Sequence, residues 1–298
     1  MTMEFGANFN SGDISPAVWA RRREDEGWSV LGCADHFFSM RRGAYPHLWV
    51  TLATFAAVTT RVGLSSSFAN NLLRSPVEFA QASLEMQIVS GGRFEAGLGA
   101  GWTRDEIDAA GLHYPSPAER AARYAEAMQI VRQIFDGGAC RFDGRYYHVD
   151  LPKLRPQGDD PPPLVGSLGG PRTIREVGPL VDRIEVNVSS VATRAGALDL
   201  DLLARVERAE LDALVHGVRA VNPTAPLGML VLCNVGDDER TRAYEEQMRG
   251  SFLGRFFGPP EKVADALLEL EDLRLSRVQI TPFFESSFEL LAPYLEGS

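Results

Sequence analysis

Residues 61–102 constrain the fold of this chain more than any other segment, because they read as a strand, a helix and a second strand. The first strand, residues 62–68, is short and ends before two asparagines that favour a turn. A helix follows, in which Ser75, Pro76 and Glu78 form a capping box with proline at the first helical position. The segment therefore predicts one complete strand–helix unit leading into another strand.

The second strand of this segment ends in alternating glycines. In GGRFEAGLGAGW, Phe94, Ala96 and Leu98 alternate with smaller or polar residues, as strand residues do. Two strands joined by one helix in so short a span predict a parallel pair with a right-handed crossover. Because chemistry in such folds gathers at the carboxyl ends of the strands, we expect a site at residues 65–67 and 99–102.

The same alternation of strand and helix continues along the chain. The strand candidates are residues 3–9, 28–33, 62–68, 94–99, 164–167, 183–188, 227–235 and 277–282. Eight such strands predict an α/β fold of the (β/α)₈ TIM-barrel type, as one domain over residues 1–298. A doubly wound open sheet is the alternative, but no G-x-G-x-x-G motif follows the first strand. Residues 139–162 are predicted to be an irregular excursion between the fourth and fifth units.

Composition and charge exclude several classes of function. A formal net charge of −10 argues against nucleic acid as a partner. The three cysteines are far apart and the histidines lack metal-ligand spacing, so we expect no metal and a reducing, cytoplasmic compartment. No apolar stretch approaches 18 residues, so no membrane association is expected. The chain also lacks a P-loop and a G-x-S-x-G motif, which disfavours nucleotide hydrolysis and serine-esterase chemistry.

Two glycine-rich turns are candidates for ligand binding. In GSLGGPRTIRE, glycines precede Arg172 and Thr173 at a helix start, where free N–H groups and the helix dipole favour a phosphate. The alternative is a capped turn without a ligand. The run from Gly97 to Gly101 lets a ligand approach the backbone closely, although a tight strand-to-helix turn explains it equally well.

Asp35 and His36 follow the second predicted strand. His36 is a candidate for proton transfer or for a hydrogen bond to a ring heteroatom, whereas a purely structural role is the alternative for this dipeptide. Aromatic residues are expected to crowd the mouth of the barrel, as a flat apolar slot or as plain packing. They are Phe37, Phe38, Trp102 and Phe283.

Taken together, these motifs resemble the bacterial luciferase-like superfamily of flavin- and deazaflavin-dependent oxidoreductases. The resemblance covers nearly the whole chain and is most specific in residues 58–111, in AERAARYAEAMQIVRQIFDG with FDGRYYHV, and in PPPLVGSLGG. It implies a TIM barrel that binds reduced FMN or the 5-deazaflavin coenzyme F420 at the carboxyl ends of the strands. SLGGP and GRFEAGLGAGW are more similar to the deazaflavin branch, so F420 is the expected coenzyme and FMN the alternative.

The resemblance also implies roles for individual residues. His36 and Asp35 match the catalytic Asp-His pair near the ring, and a non-prolyl cis peptide is expected at Ser66–Ser67. The residues expected to bind the coenzyme are Ser66, Ser67, Phe68, Gly99, Ala100, Gly101, Trp102, Arg104, Gly169, Gly170, Arg172, Thr173, Asn187 and Val188. Substrate contacts are expected from Asn8, Phe37, Met40 and Phe283.

The chain departs from the sugar-phosphate dehydrogenases of the deazaflavin branch in two respects. Trp102 stands where those enzymes carry an acidic residue, and the lysines that they use for the substrate phosphate are missing here. These two departures disfavour a sugar-phosphate substrate. Arg104 and Arg172 are the candidates for contacts with a polyglutamate tail of F420.

Three functions follow as hypotheses. The first is an oxidoreductase that moves a hydride between F420 and a small organic substrate, in a protein that the resemblance predicts to be a homodimer. The second is a reduced-FMN-dependent monooxygenase whose dry pocket protects a reactive intermediate. The third is a barrel that binds a flavin-like ligand without catalysis.

Overall fold

Eight parallel strands form a closed ring at the centre of the protein. The computed structural model describes residues 3–10, 14–39, 43–154 and 160–295. The strands of the ring are β1 (Glu4–Phe9), β2 (Val30–Cys33), β3 (Gly63–Ser66), β4 (Phe94–Gly99), β5 (Leu164–Leu168), β6 (Arg183–Val186), β7 (Leu227–Val235) and β8 (Arg277–Pro282). Each strand pairs with the next in the chain, β8 pairs with β1, and pairing between β4 and β5 completes the ring. The predicted (β/α)₈ barrel is confirmed.

Helices surround the ring and connect its strands. They are α1 (Pro16–Asp25), α2 (Leu48–Val58), α3 (Pro76–Val89), α4 (Arg104–Ala109), α5 (Pro117–Gly137), α6 (Pro171–Val177), α7 (Ser190–Thr193), α8 (Leu200–Leu203), α9 (Arg208–Val221), α10 (Glu239–Gln247), α11 (Pro260–Leu268) and α12 (Ser286–Leu295). As predicted, the hydroxyl of Ser75 caps α3, since it accepts the N–H of Glu78 at 3.0 Å. The Glu78 side chain does not bond back to the N–H of Ser75, so the predicted capping box is only half formed. None of the helices in the described ranges combines the length and the apolar character needed to cross a bilayer.

The prediction of an irregular segment at residues 139–162 is wrong for its first half. Cys140–Asp143 and His148–Leu151 form an antiparallel hairpin. The Glu126 carboxylate on α5 accepts the three consecutive N–H groups of residues 145–147 at 2.9, 2.9 and 3.1 Å. The hairpin is thus fixed by a distant carboxylate, which its own sequence pattern does not reveal. Four other short strands in the described ranges are Phe38–Ser39, which pairs with Gly43–Ala44, and Ala69–Asn70 and Phe257–Gly258.

The apolar core lies mainly between the strands and the helices. Trp19 on α1 packs against Phe9, Phe55 and Phe288, with ring centroids 5.0–5.8 Å apart. All four side chains are fully buried. Burial of aromatic side chains of this size contributes a large share of the hydrophobic stabilisation of a domain.

The interior of the ring is polar by contrast. Gln279 donates to Asn8 at 2.8 Å, and Asn8 donates to Thr281 at 2.7 Å. A Cβ atom on Gly6 would lie 1.9 Å from the Gln279 side-chain oxygen, so glycine makes room for this amide. Asn8, a predicted substrate contact, is 2% exposed and has its amide committed to this chain of hydrogen bonds.

The amino-terminal end of the ring contains a cluster of charges, which we call the barrel floor. Arg277 donates to Glu4 at 2.8 and 2.9 Å and to Glu95 at 3.1 Å, with Arg183 beside them. Glu185 is buried in the same cluster, and its Oε2 has no hydrogen-bond partner among the described residues. Burial raises the pKa of Glu185 to about 7, although the nearby arginines oppose that shift.

Glu185→Gln is expected to stabilise the protein above pH 7 by about 3 kcal/mol relative to the wild type. The pKa of Glu185 in the folded chain, about 7, exceeds its ordinary value of 4.5, so the unfolded chain ionises first. Wild-type stability therefore falls as the pH rises from about 4.5 to 7, and the glutamine variant lacks this loss. Urea unfolding of both proteins at pH 5, 6, 7 and 8 measures the difference, with the exposed Glu271→Gln as control. A difference that is constant with pH would contradict the assignment.

Candidate active site

His36, on the loop that follows β2, and Glu106, on α4, form a close pair. The Nδ1 atom of His36 lies 2.7 Å from Oε1 of Glu106, and Oε2 of Glu106 accepts the N–H of Phe37 at 2.8 Å. The Glu106 side chain has no exposed surface, whereas that of His36 is 17% exposed. Because both carboxylate oxygens hold consecutive residues of one loop, the orientation of the imidazole ring is fixed.

This arrangement also selects a tautomer of His36. A carboxylate accepts hydrogen bonds, so the proton of a neutral His36 lies on Nδ1 and Nε2 carries the lone pair. Among the described residues, no group is hydrogen-bonded to Nε2. The imidazole meets the rings of Tyr45 and Trp102 at steep angles, with centroids 5.2 and 5.7 Å away. Nε2 is thus the nitrogen available to a ligand.

Sequence reasoning missed Glu106. The signal was present, because Glu106 stands in the first turn of a helix directly after the glycines of β4, beside the fully buried Ile107. A carboxylate in that position shares the carboxyl end of the ring with His36. Only the closure of the ring, however, brings the two side chains together across 70 residues of sequence.

Asp35 is occupied by structural contacts. Its carboxylate receives two hydrogen bonds from Arg74 at 2.9 and 3.0 Å and one from the N–H of Asn70 at 3.1 Å. The side chain is 3% exposed. These contacts hold the loop after β2 against the segment that follows β3. A catalytic role for Asp35 stays a prediction, and the geometry favours a role in holding the His36 loop.

The predicted position of the non-prolyl cis peptide is wrong by one residue. The cis bond joins Ser67 to Phe68. Ser66 is still the last residue of β3, where its hydroxyl donates to the carbonyl of Gly97 at 2.9 Å and accepts the N–H of Gly97 at 2.8 Å. Ser66 therefore links β3 to β4 and is fully buried, whereas Ser67 and Phe68 form the corner that leaves the strand.

The glycines of β4 allow this corner to pack closely against the strand. A Cβ atom on Gly97 would lie 2.0 Å from the carbonyl oxygen of Ser66, and one on Gly99 would lie 3.3 Å from Cβ of Phe68. Gly101 has a φ of +78°, and a Cβ atom there would meet the Asn70 side chain at 2.3 Å. Close approach and backbone conformation both require glycine here.

A buried donor lies beside this glycine loop. The N–H of Asn71 donates to the carbonyl of Gly99 at 3.1 Å, which places Asn71 against the loop. Its side-chain Nδ2 is buried and has no partner within the described part of the chain. An unpaired buried donor is costly, so a ligand that accepts this hydrogen bond would relieve the cost.

The predicted phosphate turn lies at the carboxyl end of β5. A Cβ atom on Gly169 would lie 2.5 Å from the Ser190 side chain, whereas one on Gly170 would meet no atom within 4 Å. The backbone is therefore tightly held on one side and open on the other. The hydroxyl of Thr173 donates to the carbonyl of Gly170 at 3.0 Å, and Arg172 pairs with Glu176.

The remaining predicted residues occupy different surroundings. Asn187 donates to the Ser167 hydroxyl at 3.4 Å, next to the phosphate turn, and Val188 is buried. Arg104 stacks on the ring of Tyr114 at 4.5 Å. Phe283, a predicted substrate contact, packs against Tyr244 and Phe257, whereas Phe37 is 46% exposed. Ala100 is partly buried against the core. The remaining predicted substrate contact, Met40, lies outside the described residues.

These features fit a flat ring that carries a phosphate tail. The space beside Gly170 is open to ligand atoms, and the buried Nδ2 of Asn71 has no partner among the described residues. Within the same part of the chain, no group is hydrogen-bonded to His36 Nε2 at this end of the ring of strands. The residues are therefore suited to a flavin-like coenzyme.

Comparison with protein families gives the classification. Residues 17–221 match the model of the luciferase-like monooxygenase family. The chain belongs to this family. The match spans the first six barrel strands except β1, and it includes the His36–Glu106 pair and the phosphate turn.

Curated relatives carry names of F420-dependent enzymes. An F420-dependent glucose-6-phosphate dehydrogenase of Kineococcus radiotolerans is 31% identical over 165 residues, which are 54% of this chain and 49% of the relative. A protein of the same name from Nakamurella multipartita is 29% identical over 282 residues, covering 92% of this chain and 79% of the relative. The chain thus spans about half the length of the first relatives that it matches.

Solved structures show the same fold. An F420-dependent secondary alcohol dehydrogenase, solved with an F420–acetone adduct, superposes with a TM-score of 0.75 over 99% of this chain and all of that chain. The sequence identity is 17%, so the similarity establishes the barrel and not the reaction.

Proposed function

We propose that this protein is an F420-dependent oxidoreductase that transfers a hydride to or from a small organic substrate. The observation that carries the proposal is the His36–Glu106 pair at the carboxyl end of the barrel, in which the Nε2 nitrogen has no hydrogen-bond partner among the described residues. The F420-dependent relatives favour this coenzyme over FMN. The open backbone at Gly170 and the buried amide of Asn71 are the groups that would hold its tail and its polar edge.

The chain's own residues supply the proton transfer. When bound, the deazaflavin supplies a ring carbon that donates or accepts a hydride. Oxidation of an alcohol releases a proton as well as a hydride, and the lone pair of His36 Nε2 takes that proton. Glu106 stabilises the resulting imidazolium through Nδ1–H. In the reverse direction, the carbonyl carbon receives the hydride and His36 returns the proton to the carbonyl oxygen.

The surroundings of His36 favour an uncharged substrate. Trp102 and Tyr45 place aromatic rings beside the imidazole, and Phe37 extends the apolar rim. Lys153 and Lys262 are the two lysines of the chain, and Nζ of Lys262 already donates to Glu245 at 2.7 Å and to the carbonyl of Phe257 at 2.9 Å. We therefore propose a small alcohol or carbonyl compound without a phosphate group.

Fluorescence titration tests the choice of coenzyme. Reduced F420 is expected to quench tryptophan emission at micromolar concentration, whereas reduced FMN should not do so in the same range. Trp102 is the tryptophan nearest to His36, so the matched variant Trp102→Phe should lose most of the quenching and retain coenzyme binding by filtration. Quenching by FMN alone would favour the monooxygenase hypothesis, and quenching by neither coenzyme would overturn the proposal.

The dimeric state and the cytoplasmic location stay predictions. The three cysteines are buried free thiols, which agrees with the reducing compartment expected from the sequence. Exposed apolar side chains on three helices, Val18, Val50 and Ile88, leave surface for a partner copy.

A further inference from the structure

A tyrosine hydroxyl bridges β4 and β5 at the last pair of their ladder. The register of the two strands pairs Leu98 with Gly166, so the carbonyl of Leu98 faces the N–H of Ser167. The hydroxyl of Tyr124 contacts both of these groups. It donates to the Leu98 carbonyl at 2.8 Å and accepts the Ser167 N–H at 3.1 Å.

Beyond this hydroxyl β4 and β5 are no longer paired. In a regular ladder the next bond would join the N–H of Ala100 to the carbonyl of Ser167, and this bond is not formed among the described residues. The neighbouring carbonyls of Gly99 and Leu168 face away from the seam, as alternation along a strand requires, and accept the N–H groups of Asn71 at 3.1 Å and Asn187 at 2.8 Å. The seam between β4 and β5 is therefore unpaired at the carboxyl end of the barrel.

Tyr124 is well held in this position. The side chain is fully buried on α5, and burial raises the pKa of its hydroxyl, so the hydroxyl stays protonated and can donate. Gly166 leaves room for the hydroxyl, because a Cβ atom at this position would lie 3.3 Å from the hydroxyl oxygen, which is a tight contact. Because a hydroxyl both donates and accepts, this single oxygen satisfies the carbonyl and the N–H at once.

The open seam connects the two glycine turns of the candidate site. The loop from Gly99 to Gly101 lies on the β4 side, and the Gly169–Gly170 turn with its open space lies on the β5 side. We propose that Tyr124 is a positioning residue, whose hydroxyl sets the width of this seam so that the phosphate-bearing tail of the coenzyme can lie in it. The proposal rests on the proposed function, since it assumes a ring with a phosphate tail.

Tyr124→Phe tests the proposal, because it removes the hydroxyl and keeps the ring. The dissociation constants of two probes are measured: F420, and the 5-deazaflavin that ends at its ribityl hydroxyl and lacks the phosphate. Without the bridge, the Leu98 carbonyl and the Ser167 N–H either pair directly and close the seam or remain unpaired. The affinity for F420 is expected to fall at least about tenfold, and that for the tailless ring less than about threefold.

A matched control and a second measurement complete the test. Tyr294→Phe removes a hydroxyl that donates to Glu261 on the surface, and it should change neither affinity. An equal loss of affinity for both probes, or no loss for F420, would overturn the role of Tyr124.

If Tyr124→Phe fails to fold, hydrogen exchange of residues 163–170 in the wild type is the deciding measurement. Slower exchange with F420 but not with the tailless ring supports the proposal, and equal slowing with both probes overturns it. Wild-type protein that binds neither probe would instead refute the proposed function.

Discussion

His36→Asn is expected to lower the turnover of the coenzyme by about 10²- to 10⁴-fold, the contribution usual for a positioned acid–base group. Asparagine retains a polar group near Glu106 but cannot exchange a proton with the substrate. The loss should lie in kcat, because Asn71 and Gly170, which are proposed to hold the coenzyme, are untouched. Coenzyme binding measured by fluorescence should change less than about threefold.

Glu106→Gln is also expected to lower the turnover of the coenzyme, because it changes the tautomer of His36. The glutamine oxygen would stay with the N–H of Phe37, so its amino group would face Nδ1 and donate to it. A neutral His36 would then carry its proton on Nε2, and the lone pair needed for alcohol oxidation would be lost. The pH dependence of kcat should shift relative to the wild type, which a merely structural role would not produce.

The measurement is single-turnover reduction or oxidation of bound F420 with a panel of small alcohols and carbonyl compounds. Asp105→Asn, on the exposed face of α4 next to Glu106, is the matched control and should leave turnover unchanged. Unchanged turnover in His36→Asn would remove the acid–base assignment. Loss of coenzyme binding in both variants would show that the pair acts in binding and not in proton transfer.

The barrel was predictable from sequence because its signals are local. β7 and β8 occupy the predicted residues, and β4 begins and ends as predicted, since each strand carries its own apolar alternation between turn residues. The helix start at Ser75 follows from a cap that involves residues three positions apart. Eight consecutive strand–helix units of this kind are typical of a closed (β/α)₈ barrel.

The details of the site were less predictable, because they depend on contacts between distant segments. The pairing of His36 with Glu106 spans 70 residues, and that of Asp35 with Arg74 spans 39. Neither pair of residues belongs to a common sequence motif, so one residue does not predict the other. The bridge made by Tyr124 depends in addition on the register of two strands, and a hydrophobic helix pattern assigns such a tyrosine simply to the core.

Arg277→Met is expected to cost about 3 kcal/mol of folding stability at neutral pH, the lower end of the range for breaking a buried ion pair. Arg277 is the central cation of the barrel floor, where it contacts both Glu4 and Glu95. Methionine has a similar volume but carries no charge, so only Arg183, 3.6 Å from Glu95, would remain to offset the carboxylates of Glu95 and Glu185. Glu4 is 44% exposed, so water screens part of the lost interaction.

The folding stability lost in Arg277→Met should increase as the pH rises. Burial alone would raise the pKa of Glu95, but the hydrogen bonds and charge of Arg277 bring it below its ordinary value in the wild type. Without Arg277, burial dominates and the pKa of Glu95 in the folded chain rises, so stability is lost as that carboxyl ionises. Urea unfolding at pH 5 and pH 8 should therefore give a larger difference from the wild type at pH 8. Arg249→Met, which breaks an exposed ion pair with Glu246, should cost less than about 1 kcal/mol at both values. The double variant Arg277→Met, Glu95→Gln should recover part of the loss, and a deficit that is small or independent of pH would contradict the role assigned to Arg277.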